Sequence, residues 1–292
     1  MKLTTKLHYY LALHLTILIW GSTSILGKLI SLSSSSIVVG RMFIAFLALA
    51  TLLVFRKKEV VEQKNKWQMI GVGVLTAAHW ATFFEALKVS NVSVTLCCLA
   101  SCSLFVSLIQ PWFLKTKLKL YEVILGLFVI LGIYIIFTFE SDYTLGIILS
   151  LISALLVAIF SVWNAVLIKH NTAFTITLYE MLGGSVAMFL YFIFSGNEIQ
   201  QIIPIGIDWL YMLILGVVCT AFAFLLGIEV MKELSPFTVS ISVNLEPIYA
   251  ILLALYVFGE SEIMSLEFYI GASIILATIG GNAYLKSKET SE

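Results

Sequence analysis

Ten apolar stretches, approximately 9–30, 36–55, 67–87, 92–114, 121–139, 145–168, 174–194, 209–231, 236–258 and 266–285, limit what this chain can become. An α-helix rises about 1.5 Å per residue, so about 20 apolar residues cross about 30 Å of hydrocarbon. The two longest connections, Arg56–Lys66 and Ser195–Asp208, are too short for a separate water-soluble domain. With 60% hydrophobic and 12% charged residues among 292, the chain departs from soluble domains, which run about 45–50% apolar and about 25% charged. The expected fold is an all-α integral membrane protein with ten transmembrane helices. The first apolar run is too long for a signal peptide and has no A-x-A-type cleavage site, so it is expected to remain as a membrane helix.

Lys and Arg set the orientation. One side of a ten-crossing chain receives Lys2, Lys6, Arg56, Lys57, Lys58, Lys64, Lys66, Lys115, Lys117, Lys119, Lys169, Lys232, Lys286 and Lys288. The other keeps Lys88 and the helix-end Lys28, with Arg41 inside the second segment. Both termini are therefore expected in the cytoplasm, with the chain in the inner (plasma) membrane. The 17 basic and 17 acidic residues cancel, which gives no reason to expect a nucleic-acid partner.

The chain repeats itself weakly. A shift of 144 lays Glu85-Ala-Leu-Lys88 over Glu229-Val-Met-Lys232 and Ser103 over Pro247; a shift of 142 pairs Trp67 with Trp209, and one of 145 pairs Gly126 with Gly271. Residues 1–140 and 141–292 then form two five-helix repeats within one membrane unit. Five is odd, so the halves face opposite ways, an arrangement that places solute sites at the repeat interface near the midplane.

The ninth stretch carries the most telling chemistry. Its only full charge, Glu246, lies mid-membrane beside Asn244 and Pro247. A carboxylate at that depth costs about 2.5–3.5 kcal/mol on insertion scales, so it should be neutral, paired or facing water. Pro247 removes a backbone donor and should bend the helix, serving as a hinge. The plainer reading is a packing kink with a protonated Glu satisfied by a hydroxyl.

Other polar and aromatic groups fall at similar depth: Trp20 on the first helix, His79 and Phe83 on the third, and Trp163 and Asn164 on the sixth. His79 and Phe83, four apart, share a helix face. Aromatic walls with a few convergent polar groups suit a small-molecule cavity. His79 equally suits a core histidine, Trp20 and Trp163 suit packing, and Asn244 suits a helix–helix hydrogen bond. Arg41, toward the outer face, needs a partner or an anionic ligand, and Glu85 lies at its depth. Glu180, in the cytoplasmic third of the seventh helix, lies level with His14. Structural ion pairs are the default for both, gates the alternative. Gly183-Gly184 suits close helix approach.

Several classes lose support. Neither G-x-x-x-x-G-K-[ST], H-E-x-x-H nor G-x-S-x-G occurs, and His8, His14, His79 and His170 are scattered. Cys97, Cys98, Cys102 and Cys219 match no zinc spacing. No catalytic or metal-ligating set is expected, and no filter-like loop or charged ring speaks for a selective channel.

The motifs Trp20-Gly21-Ser22, Lys28, Arg41, Leu245-Glu246-Pro247, Phe258-Gly259-Glu260 and Gly271 give nearly the whole chain a resemblance to the drug/metabolite transporter superfamily, EamA type. The resemblance implies two inverted five-helix repeats around a central cavity and export of amino acids or related metabolites. The first half departs from the family pattern. Ser103 stands where Pro is usual and Lys115-Thr116 where Gly-Glu is usual, so proline-based flexibility is expected in the ninth helix only. The resulting expectation is a secondary transporter that moves a small organic solute by alternating access. A channel-like permease or facilitative uniporter is the alternative, and a membrane enzyme a more distant one. No cofactor is expected; protons are a candidate coupling ion, carried by Glu246 or His79. The expected partners are the solute and the lipid bilayer, and nothing in the sequence requires more than a monomer.

Overall fold

The computed structural model describes residues 3–56, 59–115, 117 and 120–289. Lys2, Lys57, Lys58, Thr116 and Lys119, used in the charge and motif readings, lie outside the described residues. Among those described there is no strand. The helices are α1 (Leu3–Leu29), α2 (Ser34–Leu53), α3 (Gln63–Val89), α4 (Val92–Leu99), α5 (Cys102–Leu114), α6 (Leu120–Phe139), α7 (Thr144–Leu167), α8 (Ala173–Phe194), α9 (Asp208–Leu213), α10 (Ala223–Glu229), α11 (Pro236–Val243), α12 (Glu246–Phe258) and α13 (Leu266–Glu289). A π-helical run, Ile214–Phe222, joins α9 to α10.

Seven stretches among the described residues are long and apolar enough to cross a membrane: Leu7–Leu29, Ser34–Leu53, Gln63–Val89, Val92–Leu114, Thr144–Leu167, Ala173–Phe194 and Asp208–Lys232. The other three stretches marked in the sequence are shorter or interrupted. The apolar parts of α6 and α13 are Ile124–Phe139 and Leu266–Thr278, and the ninth is split into α11 and α12.

α3 packs against α7 and α8, α2 against α8 and the π run, and α1 against the π run and α10. Small residues let the central helices approach. A Cβ on Gly183 would lie 2.6 Å from the Ile70 carbonyl oxygen, and one on Gly184 an equal distance from that of Gly73. The Gly183-Gly184 pair is thus a packing device, as expected.

The two ends of the bundle are tied differently. At one end, the Arg56 guanidinium lies 4.1 Å from the Phe174 ring centre, and Glu59 accepts hydroxyl bonds from Thr172 (2.9 Å) and Thr175 (2.6 Å). At the other, Asp208 accepts the backbone N–H (3.2 Å) and the hydroxyl of Ser31. Beside it, Lys28 pairs with Glu262 at 2.7 Å.

Two helices are broken, not one. α11 stops at Val243 and α12 starts at Glu246; α4 stops at Leu99 and α5 starts at Cys102. The breaks fall 144 residues apart at both edges, the repeat shift read from the sequence. The first has no proline. Instead the Ser101 and Ser103 hydroxyls bond back to the Cys98 (2.7 Å) and Ala100 (3.2 Å) carbonyls three residues earlier. Such back-bonding competes with the helical ladder. Of the two breaks only that of the ninth helix has a proline, yet the fourth is broken as well: serines stand at its interruption where Pro247 marks the ninth. Pro247 lies in the first turn of α12, where a missing N–H costs no helical bond.

Candidate functional site

Both breaks border an internal cavity of about 110 Å³. Leu99, Ala100 and Cys102 come from the first break, and Val243, Asn244, Glu246 and Pro247 from the second. Trp20 and Thr23 of α1 add to the wall, as do Arg41 of α2 and His79, Trp80 and Phe83 of α3. Phe160 and Asn164 of α7 and Phe224 of α10 complete its aromatic side.

Glu246 is buried in the first turn of α12, where unpaired backbone N–H groups favour negative charge by about 0.3–1 kcal/mol. Among the described residues no hydrogen bond holds its carboxyl group, so the packing kink with a hydroxyl-satisfied Glu has no such hydroxyl. Asn244, at the break itself, has its side-chain Nδ2 buried and unpartnered, so it is not the interhelical glue weighed from the sequence.

His79 fulfils both of its readings. Its Nδ1 lies 2.7 Å from Ser153 Oγ and 3.0 Å from the Ser153 carbonyl oxygen on α7, and Ser153 Oγ also bonds the His79 carbonyl at 3.1 Å. The ring meets Phe83 in a stack at 6.2 Å, as the four-residue spacing implies, and Phe160 edge-on at 5.5 Å. A core histidine and a wall residue coincide here.

Trp20 reaches the cavity because the facing residue is Gly227: a Cβ there would lie 2.9 Å from the indole. Trp163 does not reach it. It turns toward Phe113 on α5, with ring centres 6.0 Å apart, while Asn164, one residue on, enters the wall.

Arg41 lines the cavity rather than pairing with Glu85, which is exposed. Its Nε donates to Thr220 Oγ1 at 2.9 Å, and its guanidinium lies 3.8 Å from the Trp80 ring centre and 5.2 Å from that of Phe84. Desolvated cation–π contacts are worth about 2 kcal/mol or more, which offsets part of the burial cost. Thr220 is presented by the π run, whose wide turn lets its hydroxyl bond the Leu215 carbonyl five residues back at 2.6 Å. Arg41 Nη1 has no partner. A buried donor so left costs about 1–3 kcal/mol.

Glu180 is fully buried and does not meet His14, which is exposed. Neither carboxyl oxygen has a partner at hydrogen-bond geometry; Asn164 and Thr76 are its polar neighbours. It thus sits behind the wall, one side chain away from the cavity.

Glu262 went unnoticed in the sequence. It is fully buried, pairs with Lys28, accepts the backbone N–H groups of Val92 (3.1 Å) and Ser93 (2.9 Å), and accepts the Ser93 hydroxyl at 3.0 Å. Lys28 also lies 4.9 Å from the Phe258 ring centre. The Phe258-Gly259-Glu260 motif drew attention to Glu260, which is exposed. Phe160, four residues before Asn164, was visible as a shared helix face. Trp80 and Phe224 carried no spacing signal.

The sequence pattern described as the EamA-like transporter family matches residues 7–138 and again 144–283. The chain belongs to that family. It is a multi-pass membrane protein of a transporter family, with lipid around it and a small-molecule solute as its implied cargo. This EamA-like chain is also 28% identical, over 271 residues, to an uncharacterized transporter of Archaeoglobus fulgidus; the match covers 92% of this chain and 93% of the relative. A solved crystal structure titled only as that of a protein shares the fold with a TM-score of 0.67 at 16% identity, covering 94% of this chain and 96% of the other.

Proposed function

We propose that this EamA-like protein is a secondary transporter that exports a small organic solute, an amino acid or related metabolite, across the inner membrane by alternating access. The reading has ten crossings, both termini in the cytoplasm and two inverted five-helix repeats, residues 1–140 and 141–292. One observation carries it: an aromatic cavity bordered by two helix breaks 144 residues apart. Discontinuous helices at membrane depth are how carriers expose polar backbone to a solute. The double match of the family pattern, 7–138 and 144–283, supports the division into halves. Trp20, His79, Phe83, Asn164, Asn244 and Glu246 contact the solute, and Arg41 stands beside them. Pro247 is the hinge, Glu180 supports the wall through Asn164, and Glu246 and His79 are the groups that would carry a coupled proton. Nothing in this mechanism requires a second copy of the chain or a cofactor.

Counterflow tests this. Labelled solute inside proteoliposomes should leave faster when unlabelled solute is added outside, because one site serves both sides in turn. A channel-like permease would show no such acceleration, and an enzyme would change the compound itself.

A further inference from the structure

Arg41 brings a fixed positive charge to the cavity wall, and among the described residues no carboxylate pairs with it; Glu246 shares the wall but makes no ion pair with it. The ion pairs among the described residues are Lys28–Glu262 and Lys232–Glu229; neither involves Arg41. Guanidinium keeps its proton under all ordinary conditions. Trp80 covers one face and Thr220 takes Nε, which leaves Nη1 buried without an acceptor. Three more residues of the same wall carry an unpartnered buried atom: Thr23 Oγ1, a hydroxyl, Asn164 Oδ1, an acceptor, and Asn244 Nδ2, a donor.

Orphan donors and an orphan acceptor around one cavity describe the complement of their ligand. It should bring an anionic acceptor to Arg41 and a hydrogen-bond donor to Asn164, with an apolar body between Phe83, Phe160 and Phe224. One guanidinium balances one charge, whereas a phosphate dianion calls for several cations. We propose that Arg41 anchors the solute's carboxylate, so that the cavity selects amphipathic hydroxy- or amino-substituted monocarboxylates over their amides and amines. The assignment rests on the transport reading above and adds the chemical group that reading leaves open. Thr220 and Trp80 act as positioning residues that hold the guanidinium in place.

The test uses the full chain in proteoliposomes loaded with matched compounds sharing one body: phenylalanine, phenyllactate, phenylalaninamide and phenethylamine, with the leucine set in parallel. Release in counterflow is read by mass spectrometry. The wild type should release the acids about tenfold or more faster than the amide and amine, the worth of about one charge-assisted bond. Arg41→Lys should keep the preference with a raised KM, and Arg41→Gln should erase it. Equal release of acid and amide by the wild type overturns the anchor alone, whether or not the variants fold. If nothing moves, thermal stability with the same compounds decides. Acid-selective stabilisation that is lost in Arg41→Gln keeps the anchor and sinks the transport reading, whereas none sinks both.

Discussion

Glu246 and Gly227 show how much a single residue decides in this cavity. Glu246→Gln keeps the size of the side chain and removes its charge, so it should insert and fold as the wild type does while transport is lost or uncoupled. Full transport at every pH tested would reduce Glu246 to a packing residue. Gly227→Val adds bulk 2.9 Å from the Trp20 indole, which must then swing into the cavity. Solute affinity should fall about tenfold, about 1.4 kcal/mol, alongside a loss of fold stability of about 1–3 kcal/mol from the overpacking. Unchanged affinity would show that Trp20 has room elsewhere. The cost and rarity of charge at membrane depth picked out Glu246 and Arg41 from the sequence. Depth alone could not tell what they meet. Arg41 was matched with Glu85 by level, yet α3 turns Trp80 and Phe84 toward it and leaves Glu85 exposed. Rotation about a helix axis decides such contacts, and a nearly all-apolar helix carries little periodicity from which to read it.

At the scale of elements, the end of the bundle closed by Glu262 and the broken helices bear most on behaviour. Glu262 joins three parts that are distant in sequence: the end of α1 through Lys28, the start of α4 through two backbone N–H groups, and its own turn after α12. Removing one partner of a buried pair costs about 3–5 kcal/mol, so Glu262→Ala should lower the melting temperature by several degrees. Adding Lys28→Met should recover part of the loss. A double-mutant cycle with no coupling between the two positions would mean the pair contributes nothing to closure. Pro247→Ala should change stability little, since the ring occupies a first-turn position where no hydrogen bond is at stake. A large loss would show that the rigid ring itself holds the break. The ninth-helix break was legible because proline announces itself. The fourth was hidden because serines interrupt a helix only in some settings, and a single sequence does not reveal which.

For the whole molecule, topology is the testable claim. Single cysteines at Asn65 and at Asn197, in a cysteine-free background, should label from opposite sides of the membrane. Equal labelling from outside by an impermeant reagent would remove the ten-crossing, inverted arrangement. That expectation comes from the spacing of apolar runs and from the Lys and Arg bias, which depend on length and count rather than on contacts. The membrane-embedded, all-helical character is what the family and the seven apolar spans bear out. The π run adds a quantity that neither supplies. Trp67 and Trp209 are 142 residues apart, but Glu85 and Glu229, farther along the same two helices, are 144 apart. Between these landmarks the second half spends two residues more than the first, and the π run Ile214–Phe222 lies inside that interval. A soluble protein hides an insertion in a loop. Inside a bilayer the backbone cannot bulge into hydrocarbon with its polar groups unpaired, so the surplus is wound into wider turns. On the two-repeat reading proposed above, the run that presents Thr220 to Arg41 is thus where the two halves part in length.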